Sequence, residues 1–297
     1  MTQTCPLCRS EQGETFDTLN VEGRTIEYRL CSRCGMVFQN EDWKKEDLTD
    51  FYAKDYRKLM EGEDRVSEKN LAIEETRARL LVSWLKARGV QSVKRHLDIG
   101  ASTGSLIHRT KIEFGAEVLG VELSNSHRAY AESRGLTMLP SVNDLNDKNG
   151  QRFDLISLIH VLEHLPEPVQ TLADLRERWL APDGAFLLEV PNLYIHNSYE
   201  IAHLHAFSKH TLLETLRLAG YRVDALHVHG QPRSNVLGLY ITVLARPTTA
   251  PADLTVRPEG SVRIKRRLGM AYRRVLERLL PGQAWLPFPT MPVEEKK

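Results

Sequence analysis

The stretch Arg95-His96-Leu97-Asp98-Ile99-Gly100-Ala101-Ser102-Thr103-Gly104-Ser105-Leu106 constrains the fold more tightly than any other part of the chain. An apolar strand runs into Asp98, and a turn of small residues then opens a helix. Glycine suits positions 100 and 104 because it tolerates positive φ and lets a ligand approach the backbone closely. The next apolar run puts a second carboxylate, Glu122, at a strand end, where it can accept both hydroxyls of a ribose. A dinucleotide site would want glycine at Ser102 as well, so that a pyrophosphate can lie against the backbone. Its absence points to an adenosine cofactor without phosphates.

From Val93 onward strands and helices alternate, which predicts a mostly parallel sheet with helices on both faces. Strands are expected at 96–100, 118–123, 136–140, 153–161, 185–190, 221–229 and 237–245, the last two as an antiparallel hairpin. Ligands of such sheets bind beyond the carboxyl ends of the strands, which gathers Gly100, Glu122, Val142 and His160 around one crevice. Ahead of the sheet, 67–88 reads as a helix capped by Ser67 and ended by Gly89. The aromatic and charged run Asp50-Phe51-Tyr52-Ala53-Lys54-Asp55-Tyr56 reads as a connector.

The four cysteines all fall in the first 34 residues, as Cys5-Pro6-Leu7-Cys8 and Cys31-Ser32-Arg33-Cys34. Two such knuckles can each give two thiolates to one tetrahedral ion. Their spacing predicts a structural zinc ribbon with a closed shell and no catalytic role. A net charge of +1 makes no electrostatic demand for nucleic acid or membrane. Without a long apolar run or a signal-like N-terminus, the chain is expected to be soluble and cytoplasmic.

The turn at Asp98 and Gly100 resembles the first motif of class I S-adenosylmethionine-dependent methyltransferases. The run from Phe153 through Ser157, His160, Glu163-His164 and Pro168 resembles the members that act on quinones, sugars and other small molecules. Leu180-Ala181-Pro182-Asp183-Gly184-Ala185, Leu188-Glu189-Val190-Pro191-Asn192 and His203-Leu204-His205-Ala206-Phe207-Ser208 extend that resemblance over about 93–246. It implies a Rossmann-like, doubly wound α/β sheet with a C-terminal antiparallel hairpin, behind a small N-terminal zinc ribbon. Four segments follow: ribbon 1–45, connector and lid helix 46–92, cofactor-binding domain 93–247, and linker with C-terminal helix 248–297. The implied cofactor residues are Asp98, Gly100, Ala101, Ser102, Gly104, Glu122, Leu123, Val142 and His160, with Cys5, Cys8, Cys31 and Cys34 holding zinc.

The implied reaction is methyl transfer to oxygen of a small polar acceptor such as a sugar, glycan precursor or natural product. The Asn/Asp-Pro-Pro-aromatic motif of amino-directed nucleic-acid enzymes is missing, since Ile159-His160-Val161-Leu162 stands in its place. An RNA methyltransferase and a non-catalytic cofactor-binding module are the alternatives. An imidazole can take a hydroxyl proton near neutral pH. His205, His160 and His203, in that order, are the candidate bases, and each can instead be a structural histidine. Glu163-His164 resembles the metal-binding pair of some quinone-type members, although those carry an acid where this chain has His160; the pair is expected to cap or orient the next helix.

The chain ends in a linker and a basic helix from Arg263, with Leu268, Tyr272, Val275 and Leu279 on one face and Pro281-Gly282 as its stop. Such a helix can pack back on the protein, pair with a second copy or lie on an anionic membrane.

Overall fold

The computed structural model describes residues 4–21, 24–40, 66–146, 152–197, 201–249 and 254–290. The connector at Asp50–Tyr56 and part of the linker after Pro247 lie outside them. Three short strands come first: β1 (Gly13–Val21), β2 (Arg24–Cys31) and β3 (Val37–Gln39). Helix α1 (Glu68–Ala87) follows, with the Ser67 hydroxyl accepting from the Asn70 amide as its N-cap. The strand–helix alternation then runs β4 (Arg95–Ile99), α2 (Ser105–Phe114), β5 (Glu117–Val121), α3 (Asn125–Ser133), β6 (Thr137–Leu139), β7 (Phe153–Ile159), α4 (Pro168–Arg178) and β8 (Leu180–Pro191). The two-residue β9 (His205–Ala206), α5 (Lys209–Leu218), β10 (Tyr221–His229), β11 (Tyr240–Pro247), α6 (Val262–Leu279) and the single turn α7 (Pro281–Ala284) complete it.

The main sheet has seven strands in the order β10-β11-β8-β7-β4-β5-β6. All neighbours from β6 to β8 are parallel, and β11 is antiparallel to both β8 and β10. This is the doubly wound sheet with a terminal hairpin that the alternation predicts. Strands β4, β7 and β8 are buried on both faces, so they read as continuous apolar runs (Leu155, Ile156, Leu158; Phe186, Leu187, Leu188). One face is closed by α1 and α2 through Ala78, Leu81, Leu85, Leu106 and Ile107. The other is closed by α4 and α5 through Leu172, Leu175, Leu212 and Leu216.

The N-terminal sheet is not free-standing. Its order is β1-β2-β3-β9, so the strand that carries His205 completes it across a gap of more than 160 residues. Cys5, Cys31, Cys34 and Phe38 belong to the same apolar cluster as Phe207 and the α4–α5 face. Among the described residues no helix is long and apolar enough to cross a membrane.

Candidate active site

The turn between β4 and α2 adopts the strained conformation its composition anticipates. Gly100, Ser102 and Gly104 have φ of 72°, 49° and 74°. A side chain at Gly100 would place its Cβ 2.4 Å from Val161 Cγ2, and one at Gly104 would meet Leu136 at 2.5 Å. The bare backbone therefore forms a cradle that no larger residue fits. Ala101 donates its amide to Val121 O, tying the cradle to β5. Glu122, just past β5, accepts the amides of Ser102 (2.9 Å) and Ser124 (2.8 Å). A carboxylate has about four lone-pair sites, so two remain for ribose hydroxyls. Leu123 follows it, and Val142, exposed in a short 3₁₀ turn after β6, stands on the rim.

Beneath the cradle runs a buried polar chain. Ser157 Oγ donates to Asp98 Oδ1 at 2.5 Å; His96 Nε2 lies 2.7 Å from Ser157 Oγ, and His96 Nδ1 lies 2.8 Å from Thr110 Oγ1. Burial pushes Asp98 up to about 7 and His96 down to about 3. His96 is thus a neutral imidazole that fixes Ser157, and Ser157 fixes Asp98. Helix α1 also reaches the cradle. Glu74 on α1 accepts the Ser102 hydroxyl (2.9 Å) and the Thr103 hydroxyl, and Glu75 accepts that of Ser105 (3.0 Å). Glu75 could have been suspected from sequence, since it interrupts the buried face formed by Leu71, Ala72 and Ala78.

His160 follows β7 with φ 56°, a costly conformation for histidine. It lies next to Val161, the residue against which Gly100 packs. Its Nε2 is 3.1 Å from Glu189 Oε1 and its Nδ1 is 3.5 Å from Glu163 Oε1. Burial and the Arg77 cation would lower its pKa, but the two carboxylates outweigh them and hold it above the ordinary imidazole value. Ile159, Glu189, Thr242 and His227 are partners in one row across β7, β8, β11 and β10. Glu189 also accepts the Thr242 hydroxyl at 2.7 Å and is flanked by Arg77 and His229. Beside this row lies a cavity of about 200 Å³, walled by Arg77, Trp84, Glu189, His229, Gln231 and Thr242. Sequence reasoning gave Glu189 no role in the site, although the run Leu188-Glu189-Val190-Pro191-Asn192 that contains it carries part of the family resemblance.

The other histidines part company with His160. His205 is buried in β9, donates Nε2–H to Leu165 O at 2.8 Å, and has a buried Nδ1 without a hydrogen-bond partner. Burial lowers it to about 4. Its Nε2 is held by a backbone carbonyl, and no carboxylate among the described residues faces its Nδ1 within hydrogen-bond distance. His203 lies beside His164, ring centroids 4.7 Å apart, and its carbonyl accepts from Tyr28 Oη and Gln39 Nε2 of the ribbon. Helix α4 starts at Pro168 with no side-chain cap. Glu163 and His164 do not cap it but turn inward, where the Glu163 carboxylate is buried, its Oε1 3.5 Å from His160 Nδ1 and its Oε2 without a hydrogen-bond partner. Glu163, His164 and His203 bring ligand atoms within 4.8 Å of one another.

The four cysteines form the second such group, with all Sγ atoms within 4.8 Å and the pairs Cys5–Cys34 and Cys8–Cys31 at 3.5 Å. A tetrahedral four-sulfur shell has sulfurs about 3.8 Å apart, so the cluster fits one zinc ion.

Comparison with known proteins agrees with this fold. The 1,6-didemethyltoxoflavin-N1-methyltransferase of Burkholderia thailandensis superposes with a TM-score of 0.56 at 19% identity, over 78% of this chain and 100% of that one. The C-methyltransferase NovU of Streptomyces niveus is 28% identical over 173 residues, 54% of this chain and 39% of that protein. The ubiquinone biosynthesis O-methyltransferase of Pseudomonas syringae pv. tomato is 27% identical over 120 residues, 38% of this chain and 51% of that protein. An Escherichia coli cyclopropane-fatty-acyl-phospholipid synthase is 35% identical over 97 residues, 32% of this chain and 25% of that protein. These curated relatives are thus matched over a quarter to a half of their own length. A sequence profile described as a methyltransferase domain matches residues 71–226, from α1 to β10, and the chain belongs to that family.

Proposed function

We propose that this methyltransferase moves the sulfonium methyl of S-adenosylmethionine to a hydroxyl oxygen of a small polar acceptor, such as a sugar, glycan precursor or natural product. The observation that carries the reading is the His160–Glu189 pair beside the Gly100 cradle. The cradle of Gly100, Ala101, Ser102 and Gly104, over Asp98, would take the amino acid end of the cofactor. Glu122 would take the ribose hydroxyls, and Leu123 and Val142 would flank the base. Bound there, the cofactor supplies an electrophilic methyl on a cationic sulfur. His160 would take the acceptor's hydroxyl proton on Nδ1, with the acceptor displacing its 3.5 Å contact to Glu163 Oε1, as the oxygen–methyl bond forms and the sulfur–methyl bond breaks. Glu189 orients the imidazole and stabilises it when protonated. The relatives named above methylate carbon, oxygen and nitrogen; the choice of oxygen rests on this base. His205, which the sequence favours for the role, would instead hold the loop to Leu165.

His160→Ala should lower turnover by about 10²–10⁴ while calorimetric affinity for S-adenosylhomocysteine changes less than about threefold. Wild-type turnover in that variant with His205→Ala inactive would return the role to His205. A base above the ordinary imidazole value predicts a rate that rises with pH through that raised value. Glu189→Gln should move the rising limb to lower pH.

The buried Glu163 carboxylate, whose Oε2 has no hydrogen-bond partner, favours a second reading, in which Glu163, His164 and His203 hold a divalent cation that acidifies the acceptor hydroxyl. Metal content above one ion per chain, lost in Glu163→Gln, would support it. Cys5, Cys8, Cys31 and Cys34 are proposed to hold the structural zinc.

A further inference from the structure

Helix α6 is mounted with its polar side inward. Arg263 donates to Glu14 and to Phe16 O, Arg266 to Leu193 O and His196 O, and Arg273 to Ile195 O. Gly269 lies so close to the Tyr194 carbonyl that a Cβ would come within 2.2 Å of it. The arginine side of the helix is therefore used to satisfy backbone carbonyls of the segment after β8. The apolar stripe faces outward instead: Ile264, Leu268, Tyr272, Val275 and Leu279 are 51–72% exposed. At about 100° per residue these five positions span less than a quarter of the helix circumference. Arg278, Arg267 and Arg274 line one flank of the stripe and make no ion pair among the described residues. The only acid on the helix, Glu277, accepts from Arg273 and Trp285 on the inner side.

A soluble helix normally buries such a stripe, so this face calls for a cover. A second copy of the chain does not suit it. Isologous pairing would set the three unpaired arginines of one stripe against those of the other, with no carboxylate on either face. We propose that α6 lies on an anionic lipid bilayer, its apolar stripe entering the acyl boundary and Arg267, Arg274 and Arg278 meeting the headgroups. The carbonyls of 193–196 that hold the helix follow directly on β8, the strand that carries Glu189. The docking face and the acceptor cleft thus share one short connection.

Full-length protein should co-sediment with vesicles of equimolar phosphatidylcholine and phosphatidylglycerol, and less as salt is added. It should bind vesicles of phosphatidylcholine alone at least about tenfold more weakly. Changing Arg267, Arg274 and Arg278 to Gln should cost about fivefold each, roughly a hundredfold together. Leu268→Ser with Leu279→Ser should weaken binding by at least about tenfold. All these side chains are exposed, so folding is retained, and an unchanged S-adenosylhomocysteine affinity checks it. Equal binding to both vesicle types, or no binding to the anionic ones, overturns the proposal. So does a dimer in sedimentation equilibrium that Leu268→Ser dissolves, which would mean that the stripe is covered by protein.

Discussion

Replacing Gln39 should loosen the acceptor-side loop without touching the cofactor cradle. Gln39 is buried in β3, and its Nε2 donates to Ile201 O (3.0 Å) and His203 O (2.9 Å). Tyr28 Oη donates to the same His203 carbonyl at 2.7 Å. In Gln39→Leu, His203 O keeps Tyr28 while the Ile201 carbonyl loses its side-chain donor. Loss of the two bonds at about 0.5–1.5 kcal/mol each amounts to roughly 2 kcal/mol. That corresponds to about a thirtyfold rise in the open population of the loop, if the cost is local. Hydrogen exchange of peptides covering 201–208 should read that thirtyfold loss of protection, with the amides of β4 and β7 unchanged. Turnover should fall because His203 and its neighbours lose their placement, while S-adenosylhomocysteine affinity stays within about twofold. Adding Tyr28→Phe should cost more in this background than in the wild type, since it then removes the second of the two donors to the buried His203 carbonyl. Unchanged exchange at 201–208 in a variant whose melting temperature drops would refute the reasoning, because the ribbon would then stand apart from the loop.

Gly100→Val should abolish cofactor binding by calorimetry, since its Cβ would meet Val161 at 2.4 Å with φ at 72°; retained affinity would remove the cradle from the site. Chelation should release about one zinc per chain and unfold the ribbon first, as structural zinc contributes on the order of 10 kcal/mol to such modules. A folded, metal-free sample with four titratable thiols would contradict that. Burial raises Asp98 to about 7, so the folded, ligand-free protein binds a proton there that the unfolded chain releases near pH 4. Stability from this group is therefore full below about pH 4 and is lost as pH rises through 7, by up to about 4 kcal/mol. Asp98→Asn should flatten that slope in denaturant midpoints measured from pH 5 to pH 8; an unaltered slope assigns it to other groups.

The sheet was legible because its signals are local. Asp98 and the glycines at 100 and 104 specify a strand–turn–helix by backbone conformation alone. The apolar runs of β4, β7 and β8 report burial on both faces, and Ser67 and Gly89 mark the ends of α1 through their own cap geometry. The pairing of two Cys-x-x-Cys knuckles is likewise written in spacing.

Tertiary structure alone decided what those elements do to one another. Three histidines near strand ends are equivalent in sequence, yet only His160 meets the Glu189 carboxylate, while His205 is spent on the Leu165 carbonyl. Pairing of β3 with β9 makes the ribbon a support for the loop of His203, and no local pattern encodes a partner so distant in the chain. The same holds for α6. Its stripe and its arginines are plain in the sequence, but which side faces the protein depends on the carbonyls of Leu193, Ile195 and His196 that accept from Arg266 and Arg273. Periodicity defines the two faces of a helix; the groups waiting on the body of the fold decide which face is turned toward them.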